Sequence, residues 1–286
     1  MKNFYLLFTT CCLFIGLKGT GQTNNYFGTT GVLSNAVWST NPAGPYTSAL
    51  VITSGAILNF DNAGSATGAT IATTAGINFS VPITWTAGGT IGAAGVNLPI
   101  NVSAGIEQDF GSSQNFSTSA TAAITKNGGG SLAMSGDTYS GGFTLNAGTL
   151  IARGINAMGN GVLNLNGGIL ASNAARDFSG KYTGINIGGN IQFGDVTGLA
   201  NSGADLKFSN SMSLGGANPT LTLGNAGTTT FGGVISGSNG ITFNNNINGT
   251  GLFDITGTAN TFMGAVNING GQTRFCSGCQ FWCCSQ

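Results

Sequence analysis

Short apolar pairs with one residue between them recur along most of this chain. In the stretch from Lys126 to Ser172 they are Leu132/Met134, Phe143/Leu145 and Leu163/Leu165. A period of two puts both members of a pair on one face of an extended strand. The residues between them, Ala133, Thr144 and Asn164, then face the other way. Glycine separates the pairs, at Gly128 to Gly130, Gly141-Gly142, Gly159 and Gly161, and Gly167-Gly168. Glycine reaches backbone conformations closed to other residues, so these positions predict tight corners. Strands this short cannot bury an apolar face alone. Stacked coil on coil, at about 20 to 25 residues per coil, they build one continuous core, as in a parallel β-helix.

The same pattern extends in both directions. Between Ala49 and Ile124 the predicted inward residues are Leu58/Phe60, Ile77/Phe79, Ile83/Trp85, Leu98/Ile100/Val102 and Ile106. After the central stretch they are Ile185/Ile187, Ile191/Phe193, Leu206/Phe208, Met212/Leu214, Leu221/Leu223, Val234 and Ile241/Phe243. No helical stripe of useful length interrupts them. Pro82 and Pro99 are expected at strand starts or corners, where no ladder hydrogen bond is lost. Asn173 to Gly184 is the most charged short piece, with Arg176, Asp177 and Lys181, and reads as a loop projecting from the wall.

One part of the pattern is an internal repeat. GGGSLAMSGDTYSGGFTLNAG, from Gly128, and GTGLFDITGTANTFMGAVNINGG, from Gly249, share a layout. Each has a glycine-rich start, an apolar strand and a glycine turn at Gly136 or Gly257. An aromatic follows (Tyr139 or Phe262), then a glycine (Gly141 or Gly264) and a second strand. These stretches, with the follow-on Asn156–Leu170, resemble the autotransporter-associated β-strand repeat of secreted surface proteins. The resemblance covers a quarter to a third of the chain. It implies an all-β fold, a right-handed parallel β-helix (β-solenoid), together with export and often adhesion. It implies no catalytic assignment.

Composition supports packed β structure over disorder or collagen. The 286 residues include 50 glycines without a three-residue period, 41% hydrophobic residues and only 6% charged ones. An average domain carries roughly 25% charged residues. A wall of Thr, Ser, Asn and Gly suits stacked polar ladders. Formal net charge is zero and no basic stripe exists, which argues against a nucleic-acid partner.

Residues 1–21 read as a signal peptide, with Lys2 before the apolar run Phe4 to Leu17 and small Gly19 and Gly21 before a cut at Gln22. Cys11 and Cys12 read as leader residues rather than lipidation sites. No other segment predicts a membrane span. Residues 22–48, with Trp38 and the turn NPAGP, read as an N-terminal cap over the open edge of the first coil. Residues 49–273 form the β-helix. Residues 274–286, with Cys276, Cys279, Cys283 and Cys284, depart from the pattern and read as a truncation or frameshift. Disulfides and a zinc site are the alternatives.

Candidate chemistry is sparse. The absence of histidine excludes Ser-His-Asp, Cys-His and His-metal sites within the chain. Glu107 and Asp109 are the one close acid pair and share a strand face, as paired carboxylate catalysis would need. Two solvated residues on an outer face are the simpler reading. Asp195, Asp205 and Lys207 could be mustered for a calcium-assisted lyase site, without a motif to support it. The glycine clusters lack the lysine and following helix of a phosphate loop, and GDTYSGG lacks the tandem partners of a calcium-binding repeat. Trp85, Tyr139 and Tyr182 are candidate sugar platforms. The expectation is therefore a non-enzymatic passenger or stalk segment of an adhesin-like protein, secreted or on the outer cell surface. It has no catalytic, cofactor-binding or metal residues. Partners would be host or environmental glycans or surface proteins. The alternative is a polysaccharide-binding or polysaccharide-cleaving β-helix.

Overall fold

The computed structural model describes residues 24–28, 30–32, 36–39, 43, 48–49, 57–67, 76–87, 90–91, 95–110, 117–118, 122–136, 139–194, 204–216, 218–245 and 250–276. Residues 1–21, read as a signal peptide, and Asp195 lie outside them, as does the tail beyond Cys276. Every described element is a strand. Strands pair with counterparts one coil away, and the side-chain hydrogen bonds that follow this pairing join residues 19, 20, 22 and 23 apart. The chain is therefore a β-solenoid whose coil length varies from rung to rung.

Three sheets form its faces, with twelve, eight and five strands. Successive coils visit them in the same order. Val162–Leu165, Ile169–Ser172 and Arg176–Asp177 are followed by Gly184–Ile187, Ile191–Phe193 and Leu206–Phe208. Then come Met212–Leu214, Thr220–Leu223 and Thr228–Phe231. Two small sheets, of three and two strands, carry the pattern through the earlier coils. All pairings are parallel except at the N-terminal end. There Asn24–Phe27 pairs in parallel with Ile57–Phe60 and antiparallel with Ala36–Ser39, which pairs antiparallel with Ser48–Ala49. At the other end, Gln272–Phe275 pairs with Leu252–Ile255, so the third sheet runs two residues past Thr273.

The core is the column of inward side chains. Register places Leu98, Ile124, Phe143, Leu163, Ile185, Met212 and Ile235 one above another on the first sheet. Leu145, Leu165, Phe193 and Leu223 are all essentially unexposed. A fully buried Leu or Phe contributes roughly 1.5–3 kcal/mol relative to exposure, so this column is the main source of stability. Rings stack along it: Phe60 on Phe79 at 4.9 Å, and Phe178, Phe208, Phe231 and Phe253 in series at 5.3, 5.9 and 6.2 Å.

Three expectations need correction. Ile106 sits at a corner and is only partly buried. At the pair predicted on Val234 the inward residue is Ile235, because the strand is Ile235–Ser236 and begins after the Gly232-Gly233 corner. Residues 173–184 do not project as a loop. Arg176–Asp177 is the first strand of the third sheet, and Phe178 and Tyr182 are buried in the core.

Pro99 also departs from expectation, since it lies inside the strand Asn97–Val102. The strand tolerates it on the side facing Gly76–Phe79, where the ladder continues beyond it with Ser103 N donating to Phe79 O.

The outward rows are polar and mutually bonded. Asn78 donates to Asn59 at 2.8 Å and Asn101 to Asn78 at 2.7 Å. Asn146 donates to Asn127 and Asn166 to Asn146, each at 2.9 Å. Identical side chains at one coil spacing satisfy one another, the ladder geometry of stacked parallel strands.

The two repeat copies sit on different faces. The first runs from the second sheet (Ser131–Gly136) to the first sheet (Phe143–Leu145). The second runs from the third sheet (Leu252–Ile255) to the second (Val266–Asn269). In both, the aromatic is buried, and a Cβ on the following glycine would strike the coil below, 2.1 Å from Ala122 O at Gly141 and 1.9 Å from Gly240 N at Gly264.

Corner glycines set a direct test. Gly168 has φ +87, and a Cβ there would lie 2.4 Å from Gly148 O, whereas Gly184 has open space around it. Gly168→Ala should cost roughly 2–4 kcal/mol of unfolding free energy in urea titration. Gly184→Ala should lie within about 0.5 kcal/mol of the parent. Equal effects would mean that the corners are not closely stacked.

Candidate functional site

Charged side chains on this wall collect where the second sheet turns into the third. The strand Thr149–Asn156 starts the group. Leu150 and Ala152 point into the core, so Thr149, Ile151 and Arg153 point outward. Arg153 donates through Nη1 to Asp109 Oδ2 and through Nη2 to Glu107 Oε1, the latter at 3.2 Å. Both acids stand on Glu107–Asp109, two rungs away, with Ser131–Gly136 between. The arginine stem crosses that intervening rung. This accounts for the full burial of Ala133 and Ile151, which face outward and form a small apolar cluster with Ala171. The acid pair predicted to share a face does so, but an arginine from another coil occupies it. It is an ion-pair clasp rather than two carboxylates facing each other across a cleft.

The group continues down the third face. Arg176 Nη2 donates to Arg153 O at 2.7 Å and to Asn173 Oδ1 at 2.6 Å. Lys207 pairs with Asp177 at 3.3 Å. Ser179 N and hydroxyl, with the nearby Lys207, hold the Asp177 carboxyl below its ordinary range. Asp205 accepts from Thr228 N at 2.6 Å, one coil on. Asp205 and Lys207 are therefore each engaged with other partners, and Asp195 lies outside the described residues. Further along, Arg274 clasps Asp254 through Nε and Nη2 at 2.9 and 2.6 Å, and the carboxylate raises the arginine pKa.

Beside this group, the turns of two successive coils enclose a cleft of about 380 Å³. It is lined by Asn156, Gly159, Asn160, Gly180, Lys181, Tyr182 and Thr183. Hydrogen bonds within the turns (Gly159 N to Asn156 O, Lys181 N to Phe178 O) and to the preceding coil (Asn160 N to Tyr139 O, Thr183 N to Gly161 O) fix the walls. Lys181 Nζ reaches only Asn156 Oδ1, at 3.4 Å.

The proposed sugar platforms offer no ring face. Trp85, Tyr139 and Tyr182 are 7%, 0% and 5% exposed. The hydroxyl of Tyr139 donates to Ala157 O, and that of Tyr182 meets Met158 Sδ at 3.9 Å. Cys276 is disulfide-bonded, to a partner outside the described residues. Among the described residues no three Cys, Asp or Glu side chains group as metal ligands would.

Polar side chains also point into the core, and the sequence reading did not single them out; one is Thr229, between Leu206 and Phe253, whose hydroxyl has no hydrogen bond among the described residues. Two others are bonded. Gln108 is fully buried. Its Oε1 accepts from Ile83 N at 2.9 Å and its Nε2 donates to Ile83 O at 3.1 Å, so its amide mimics a strand neighbour. Lys126 occupies the inward column between Ile100 and Leu145. Its ammonium donates to Asn127 O, Gly128 O and Ala147 O at 2.7, 2.9 and 3.2 Å, with no carboxylate among these partners. The signal for both was a polar residue at a position whose register partners are apolar.

The geometry defines a parallel β-solenoid with a low-charge, ladder-bonded wall and a polar cleft on its flank. The chain is similar to the adhesin BmaC autotransporter of Brucella suis biovar 1 (strain 1330), 34% identical over 152 residues, or 53% of this chain. The match spans 4% of that protein. No family model matches the chain, and no solved structure does.

Two stability tests follow. Arg153→Met should lower unfolding free energy by about 1 kcal/mol, less in high salt. Glu107→Gln should cost less in the Arg153→Met background than alone; additive effects would mean that the clasp is idle. Burial lowers the Lys126 pKa from 10.5 to about 8. The unfolded chain therefore holds more protons than the folded one between these values, and stability rises with pH. From pH 8 to 9.5 the gain should be about 1.5 kcal/mol and should vanish in Lys126→Met. A higher pH complicates the reading, because burial also raises the Tyr182 pKa. A flat parent profile would show that the ammonium is solvated.

Proposed function

We propose that this chain is a non-enzymatic segment of an exported, adhesin-like passenger, a rigid β-solenoid that holds a low-charge surface out from the cell. The observation that carries the reading is the disposition of its charges. The close acid pair is clasped by Arg153, while Asp205 and Lys207 serve neighbouring-coil contacts. Catalysis by paired carboxylates needs acids opposed across a substrate cleft, and these face none. The likeness to an autotransporter adhesin supports placement on the cell surface or in the secreted fraction. A wall of paired backbone and asparagine ladders also offers proteases few open segments.

A second reading, a polysaccharide-binding solenoid without turnover, is favoured by the polar cleft beside Lys181. The two are compatible, since an adhesin holds its surface ligand without changing it.

Purified chain, coated on beads, should be retained on glycan-bearing or host-cell surfaces above uncoated beads. The same preparation should release no unsaturated or reducing ends from pectin or alginate, with or without calcium. Turnover that is lost in Asp205→Asn would replace the passenger reading with a lyase. Absence of both retention and turnover would remove the adhesin part of it.

A further inference from the structure

We propose that the cleft between the turns at 154–161 and 178–183 is a binding site for a carboxylate-bearing saccharide, with Lys181 as its anion contact. This deepens the glycan-binding reading above and rests on it.

The first support is charge. Of the basic groups in the described residues, Arg153, Lys207 and Arg274 hold carboxylates, Arg176 holds three neutral oxygens and Lys126 three carbonyls. Lys181 has one long contact to an amide oxygen. No acid lines the cleft with it. A lone, partly buried ammonium in a cleft without a counter-ion favours an anionic ligand.

The second is the character of the remaining wall. Asn156 and Asn160 contribute side-chain amides and Thr183 a hydroxyl. Among the described residues, the Asn160 amide and the Thr183 hydroxyl make no hydrogen bond. These groups both donate and accept, as the hydroxyls of a sugar ring require. A peptide partner would instead need an apolar anchor pocket, because protein hot spots rest on aromatic or similar side chains. No such pocket lines the cleft: Ala157 and Met158 are fully buried, Tyr182 shows only 5% of its surface, and the exposed Ile155 lies outside the lining.

The third is size and order. About 380 Å³ falls within the roughly 300–1,000 Å³ of small-ligand sites. Both walls are backbone-bonded turns on successive coils, so the site is formed before ligand arrives. Little ordering cost is then added on binding.

The test titrates the purified chain with oligogalacturonate of three to six units and with neutral galactan oligomers of matched length, followed by calorimetry and by shifts in amide NMR signals. The acidic oligomer should bind, with affinity falling as salt is raised, and the neutral one at least about tenfold more weakly. Lys181→Met should lose that preference, Lys181→Arg should keep it, and Asn160→Ala should weaken both oligomers. Lys207→Met, outside the cleft, should change nothing. Equal binding of both oligomers, tighter binding of an acidic peptide, or binding matched by acetate alone would each overturn the assignment. If beads are retained on glycan surfaces while Lys181→Met binds like the parent, the site is wrong and the adhesin reading stands. If neither binding nor retention is seen, both fall.

Discussion

Everything in this molecule follows from one constraint: each rung must set its inward side chains directly on those of the rung before. Hydrogen bonds between coils run along the axis and fix the rise at about 4.8 Å. At that spacing a corner has no room for a Cβ where the backbone below approaches, hence glycine at Gly148, Gly168 and Gly264. An inward position must also suit both neighbours. Lys126 stands between Ile100 and Leu145 because a corner of exposed carbonyls lies within reach of its long stem. Gln108 is tolerated because its amide can pair with one backbone residue, Ile83, of the preceding coil. Both exceptions obey the rule that a buried polar group must be bonded.

The same constraint frees the outside. Outward residues need only be compatible with their copies one coil away, and asparagine meets that need by donating to one neighbour and accepting from the other. A charge cannot stack on its own kind in this way, which is a physical reason for the scarcity of charged residues. Charges therefore gather where the repetition is broken, around Arg153, Arg176 and Lys181, and find partners of opposite sign or neutral oxygens. The departures from periodicity are accordingly where chemistry can reside.

Much of the core was legible because period-two pairs report a shared face directly. Leu58/Phe60, Phe143/Leu145 and Ile241/Phe243 needed nothing more. Corners were harder, since a glycine pair gives the turn but not which residue resumes the inward row, and Val234 was read for Ile235. The charged stretch at 173–184 looked like a loop because Arg176 and Asp177 mask the strand that leads into two buried rings, Phe178 and Tyr182. Tyr139 and Tyr182 looked exposed because an aromatic beside a glycine corner can turn either way. Here the corners turn both rings against a neighbouring coil, Tyr139 onto the following one at Ala157 and Tyr182 onto the preceding one at Met158, and burial wins. The clasp on Glu107 and Asp109 was beyond sequence reading. Its arginine lies 44 and 46 residues away, and variable coil length hides which residues meet.

That variability also shapes the internal repeat. The repeat encodes a strand, a corner with an inward aromatic, and a second strand. It does not encode a whole coil, because its two copies begin on different faces. A unit of this kind can sit on any pair of faces without disturbing the column, as long as each strand lands on another of the same period. By the same logic the wall can lengthen or shorten by whole coils at little energetic penalty, and an elongated surface protein built from such units is limited by its ends and its irregular corners.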